Sequence, residues 1–191
     1  MAKNKYVIVD AILEYAKVFE QNRDMGNDKV DLSETDGEYK VHILVDDANM
    51  QKMLDAGVPA KQGAFAQFHK KEFEGQTLNM FRAKRAHKHK HFKAYDADGN
   101  LTNEPLVLGE PVVFDYNDFI SKQADNIGKK PHEYITKLTI EDGLIGNGTK
   151  AKVKLRVENG TSGKGKAFTK VQLESVGITD LVVYEGAGDF F

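Results

Sequence analysis

The chain contains no cysteine. That excludes a disulfide-stapled secreted scaffold, thiol catalysis and zinc sites built on thiolates. No segment approaches the ~18 consecutive apolar residues that a membrane-spanning helix requires. The opening residues, MAKNKYVIVDAILEY, have neither the apolar core nor the cleavage site of a signal peptide. A soluble cytoplasmic protein is expected, and the Asn-Gly-Thr sequences at Asn147 and Asn159 then read as turns. Internal repeats and low-complexity linkers are also missing. The acidic pairs Asp46-Asp47 and Glu141-Asp142 lack a partner at catalytic spacing, so no enzymatic centre and no cofactor is expected. What remains is ample for a core: 191 residues, 40% hydrophobic, with 11 Phe and 7 Tyr, enough for one folded domain.

The net charge of −2 conceals strong sorting. Residues 61–100 carry nine Lys and Arg against four acids, and residues 149–170 carry seven against one. The remaining stretches are acidic. Two basic blocks on an otherwise acidic chain predict one positive surface, if folding brings them together.

The pattern is mostly strand. Tyr6–Val18 reads as a long first strand, residues 22–37 as a polar loop, and Tyr39–Val45 as a half-buried strand of period two. Asp46 or Asp47 can cap a short helix through Met50, Met53 and Leu54 that stops at Gly57. Residues 60–77 suggest a loop with a short helix. Leu78–Phe92 reads as one strand or ribbon leading to a turn at Asp98-Gly99. A short strand, Val112–Phe114, precedes a helix capped by Asp115 or Asn117, with Phe119, Ile120 and Ile127 on its inner face. Strands Lys150–Glu158 and Ala167–Val176, joined by a loop, and a short strand at Leu181–Tyr184 complete the chain. Many strands, short helices and no βαβ alternation predict a small closed β-structure. A glycine-bearing tail, EGAGDFF, follows the domain of residues 1–184 as residues 185–191.

Two segments carry the charge. Phe81–Tyr95 (FRAKRAHKHKHFKAY) holds six fixed cations and no carboxylate. In an extended chain Arg82, Lys84, Lys88, Lys90 and Phe92 share one side, and Arg85, His87, His89, His91, Lys93 and Tyr95 the other. Neither side suits a dry core, because an unpaired buried cation costs several kcal/mol, roughly. Such a ribbon suits a phosphate backbone, with Phe92 and Tyr95 free to stack on bases. In Thr149–Glu158 the cations Lys150, Lys152, Lys154 and Arg156 point one way, and Ala151, Val153, Leu155 and Val157 the other. Like charges at that spacing repel unless a polyanion or interleaved acids intervene.

Two other patterns fall short of a phosphate or metal site. Residues 160–167 nearly spell a phosphate-binding P-loop, but Ala167 stands where the Mg²⁺-holding hydroxyl is needed, and a strand follows instead of a helix. The same loop brings Lys164 and Lys166, with Lys170 beyond, towards a polyanion. The alternate histidines His87, His89 and His91 would share one side of a strand, as in some metal sites. The surrounding cations oppose a dication.

In these same residues the chain resembles the replication single-stranded DNA-binding proteins of tailed bacteriophages, especially the podovirus type. The resemblance lies in the order of three features over about the last 110 residues. These are the basic strand running into Tyr95-Asp96-Ala97-Asp98-Gly99-Asn100, the Ile145–Thr149 turn opening an alternating strand, and a Gly/Lys loop before Lys170-Val171-Gln172-Leu173. The resemblance implies a mainly β, OB-fold-like Greek-key barrel with short helices and a flexible carboxyl tail, without enzymatic activity. It implies binding of single-stranded DNA with little sequence preference, in phage DNA replication and recombination in the host cytoplasm. The groove would be lined from Arg82, Lys84, Arg85, His87, Lys88, His89, Lys90, Phe92, Lys93 and Tyr95, and from Lys150, Lys152, Lys154, Arg156, Lys164, Lys166 and Lys170. It implies contacts with the phage polymerase and helicase-primase through Asp189, Phe190 and Phe191; a homodimer is compatible with it. The acidic stretch before the aromatic tip is shorter here than the family often has. An RNA-binding barrel would use the same residues, and a histidine-based metal protein is the rival of a different class.

Overall fold

The computed structural model describes residues 3–62 and 65–184. The first strand, β1 (Lys3–Lys17), is followed by a small ribbon of β2 (Gly26–Asn27) and β3 (Val30–Asp31), then β4 (Glu38–Val45) and helix α1 (Asp47–Asp55). Asp46 caps α1 as expected, its carboxylate accepting the Asn49 amide at 2.7 Å. Where residues 60–77 suggested a loop and helix, the chain instead forms a second ribbon, β5 (Lys61–Gln62) and β6 (Phe65–Ala66), and then β7 (Phe68–Phe73). A tight turn at Glu74-Gly75, both with positive φ, leads into β8 (Gln76–Ala86). Then come β9 (Lys88–Tyr95), β10 (Leu101–Val107), β11 (Val112–Asp115), helix α2 (Tyr116–Lys122), β12 (Thr149–Thr161) and β13 (Ala167–Asp180).

Seven strands form one sheet in the order β11-β13-β12-β1-β4-β8-β7. Within it β12-β1-β4-β8 has the spatial order 4-1-2-3 of a Greek key, and β13 pairs antiparallel beside β12. The fold is mainly β and of the OB type. Hydrogen bonding does not close the barrel as expected. The β8 and β13 strands lie alongside one another but share no ladder. Arg85 fills the seam, its guanidinium donating to Leu108 O at 2.6 Å and, at 3.5 Å, to Leu173 O on β13.

Period two accounts for the core. The inner faces of β1, β4, β8, β12 and β13 bring together Val9, Leu13, Val41, Ile43, Phe81, Val153, Leu155 and Leu173. Each large apolar side chain removed from water contributes about 1.5–3 kcal/mol. A smaller cluster of Leu44, Leu78 and Met80, with Ile12 and Phe73 against it, lies apart from the main core. Helix α2 is shorter than expected: Ile127, predicted on its inner face, is 88% exposed. At the carboxyl end, Val183 makes only an isolated bridge to Ile145. The expected flexible tail and its residues Asp189, Phe190 and Phe191 lie outside the described residues.

Candidate nucleic-acid interface

The β12 strand behaves as its alternation predicts. Ala151, Val153, Leu155 and Val157 are buried, while Lys150, Lys152, Lys154 and Arg156 face outward. Residues directly opposite one another in a sheet share a face, so the register defines what surrounds this row. On β1, Ile12, Asp10, Ile8 and Tyr6 lie opposite Lys150, Lys152, Lys154 and Arg156 in turn. On β13, Gln172, Lys170 and Phe168 lie opposite Arg156, Glu158 and Gly160. The outer face of β1, β12 and β13 thus presents a cationic row flanked by aromatic groups.

Two tyrosines pair with the row. Lys154 Nζ sits 4.8 Å from the centre of the Tyr6 ring, and Lys152 Nζ 5.4 Å from that of Tyr116. Phe168 lies over Gly160, where a Cβ would stand 2.6 Å from the ring edge. Tyr6 is 54% exposed and Phe168 41%, so both offer ring surface to a ligand.

The row does have interleaved acids. Lys152 pairs with Asp10 at 2.5 Å, and Arg156 with Glu174 at 3.2 Å. Glu174 occupies a bulge between Leu173 and Ser175, and it also meets Arg85 at 3.6 Å. By contrast Lys150, Lys154, Lys164, Lys166 and Lys170 have no carboxylate in ion-pair reach among the described residues. Cations alternate along β12 between free and paired.

The other basic segment is broken in two. Instead of one strand, the chain bends at His87 between β8 and β9. His87 is buried, and its Nδ1 lies 2.7 Å from the hydroxyl of the fully buried Tyr39. Its backbone donates to Gly37 O and accepts from the amides of Leu108 and Gly109. Burial, then the repulsion of Arg23, holds its pKa below the ordinary histidine value. Burial also pushes the Tyr39 phenol up to about 12. The three histidines therefore do not share one side. His87 belongs to the frame, whereas His89 and His91 lie beyond the bend with ring centres 6.3 Å apart.

Before the bend, Arg82 and Lys84 project from the outer face of β8, beside Lys40 and His42 of β4. They line a cleft of about 310 Å³ between these strands and the β2–β3 ribbon. Here charge is largely answered, by Glu38 for Lys84 and by Asp24 for Lys40; Arg82 has no such partner among the described residues. Strands β8 and β12 are separated by β1 and β4 on one side, so Arg82 and Lys84 do not continue the β12 row. Arg85 points inward and spends its fork on Gly109 O at 2.8 Å and on Leu108 O. It anchors the base of the β9–β10 arm and does not line a groove.

Beyond the bend, β9 pairs with β10 as a separate two-stranded arm. Burial and next the nearby charge of Lys170 hold the His89 pKa below its ordinary value. Its ring stacks on Phe92 with centres 4.2 Å apart, and its Nδ1 accepts the amides of His91 and Phe92. Phe92 is 64% exposed and Tyr95 70%; Lys93 has no carboxylate partner among the described residues. Lys88 and Lys90 turn to Asp36 and Glu34, at 2.9 and 2.5 Å, tying the arm to the loop before β4. The structure thus divides the first basic segment: its β8 part is separated from the β12 row by two strands, and its β9 part lies on the separate two-stranded β9–β10 arm. Tyr6, Phe168, Asp10 and Glu174 complete the surface and were not predicted. Strand register brings the four together; the one signal in the sequence is the alternation of Tyr6, Ile8, Asp10 and Ile12, which sets Tyr6 and Asp10 on one side of β1.

No family model matches the sequence, and no curated protein matches it. Among solved structures, the chain is similar to a C-terminally truncated single-stranded DNA-binding protein from bacteriophage Enc34. The identity is 12%, over 92% of this chain and 86% of that one, with a TM-score of 0.44.

Proposed function

We propose that the protein binds single-stranded DNA without strong sequence preference. The strand runs along the outer face of β1, β12 and β13, with the β9–β10 arm as a further contact. One observation carries the reading: Lys150, Lys154 and Lys170, which have no carboxylate partner among the described residues, share a face with the exposed rings of Tyr6 and Phe168. Lysine heads neutralise phosphates and release counterions. Aromatic rings stack on unpaired bases at ~1–3 kcal/mol per base, which a duplex with its bases stacked inside does not offer. The loop lysines Lys164 and Lys166 and the arm residues Lys93 and Tyr95 extend the same track. Arg82 and Lys84 provide a secondary basic flank.

The role is non-enzymatic: protecting single strands during phage DNA replication and recombination, in the host cytoplasm. Contacts with the replicative polymerase and helicase-primase are assigned to Asp189, Phe190 and Phe191. Deleting these three residues should abolish recovery of the polymerase in a pull-down while sparing DNA binding; equal recovery refutes the assignment. The central test is a gel shift with single-stranded DNA, single-stranded RNA and duplex DNA of equal length. Preferential retardation of single-stranded DNA is expected. Equal or stronger binding of duplex overturns the reading, and stronger binding of RNA replaces it with the RNA-binding one.

A further inference from the structure

The β12 row contains a competitor of its own. Asp10 stands on the neighbouring strand directly opposite Lys152, and its carboxylate accepts the Lys152 ammonium at 2.5 Å. Both groups reach solvent, with side chains 62% and 32% exposed. This ion pair is neither sealed in the core nor needed to satisfy a buried charge, and exposed pairs of this kind contribute little to stability. The Asp10 backbone is held separately, its amide donating to Asn49 Oδ1 at 3.1 Å. The side chain is therefore not what fixes the strand. The lysines on either side, Lys150 and Lys154, have no carboxylate partner among the described residues.

We infer that Asp10 masks Lys152 by standing in for a phosphate in the middle of the DNA track. The inference rests on the proposed function and concerns regulation of that same site. A phosphate arriving at Lys152 has to displace the Asp10 carboxylate, which then remains close to the strand as an unneutralised negative charge. The row thus holds DNA with fewer phosphate contacts than its four cations allow. That favours a strand which can be released when another protein needs it. An isosteric amide at position 10 keeps the shape and removes the competing charge.

The test is a double-mutant cycle on the full chain. Fluorescence titrations with an oligo(dT) strand over a salt series compare the unaltered protein, Asp10→Asn, Lys152→Gln and the double variant. Asp10→Asn should bind about threefold to tenfold more tightly at low salt, as expected for removing one charge a few ångströms from a phosphate. Its salt dependence should steepen by up to about 0.7, one single-strand phosphate contact. In the Lys152→Gln background most of that gain should vanish, and Asp10→Glu should restore the masked state. Equal affinities and slopes for Asp10→Asn and the unaltered protein overturn the inference while leaving the proposed function standing. So does a gain that persists undiminished without Lys152, because it would then be a general charge effect. Failure of the unaltered protein to bind the strand at all overturns the proposed function and this inference together.

Discussion

Replacing Lys150 and Lys154 together by Gln tests the cationic row most directly. These two heads carry no carboxylate partner among the described residues, so their whole charge is available to phosphates. They stand on the outer face of β12, opposite Ile12 and Ile8, and their backbone belongs to ladders that do not depend on the side chain. The fold should tolerate the change, and stability should stay within ~0.5 kcal/mol, as for surface substitutions generally. Binding should not. Each phosphate contact on a single strand contributes about 0.7 to the slope of log affinity against log salt, so losing two flattens it by about 1.4. Between about 50 and about 200 mM salt that difference makes the variant lose affinity about sevenfold less than the unaltered protein. The defect is thus largest at low salt and shrinks as salt rises. Fluorescence titration of an oligo(dT) strand at four or five salt concentrations measures it, with a melting curve as the control for folding. Parallel salt plots for the two proteins would refute the assignment of this face to DNA, whatever the absolute affinities.

Three further outcomes follow from particular contacts. Tyr6→Leu keeps apolar bulk on β1 but removes the ring; it should weaken single-strand binding by about 1–3 kcal/mol at an unchanged salt slope, and a changed slope with unchanged affinity would count against stacking. His87→Ala leaves the buried Tyr39 hydroxyl without its partner, at a cost of about 1–3 kcal/mol in denaturant unfolding; an unchanged midpoint would show that the bend is held by backbone bonds alone. Because burial lowers the folded-state pKa of His87 from 6.5, the unfolded chain binds its proton first. The contribution is therefore complete above about pH 6.5 and declines as pH falls through that value and below. The melting temperature of the unaltered protein should drop from pH 7.5 to pH 5.5 by more than that of a His87→Gln variant, and equal drops would assign the effect to other groups.

How much of this could be read from the residues depends on whether the deciding contact is local. In β12, alternation of Lys150, Lys152, Lys154 and Arg156 with Ala151, Val153, Leu155 and Val157 defines both faces without outside help, and the structure places all eight as predicted. The cap of α1 is equally local, since Asp46 bonds a residue three positions on. The arm is the opposite case. Nothing in Phe81-Arg82-Ala83-Lys84-Arg85-Ala86-His87-Lys88 breaks a strand. The break arises because Tyr39, Gly37, Leu108 and Gly109, from distant parts of the chain, all bond His87. Once His87 and Arg85 are committed to that frame, the residues beyond them are freed from β8 and pair with β10 instead. Reading the whole segment as one ribbon therefore assigned Arg85 and His87 to a ligand and set Arg82 on the same track as Phe92. The interleaved acids were hidden for the same reason. Asp10 and Glu174 lie 142 and 18 residues from the cations they pair with, and only the ladders of β12 bring them together. A cationic alternation marks a strand face that polyanions can reach; the neighbouring strands decide how many of its charges are free to meet one.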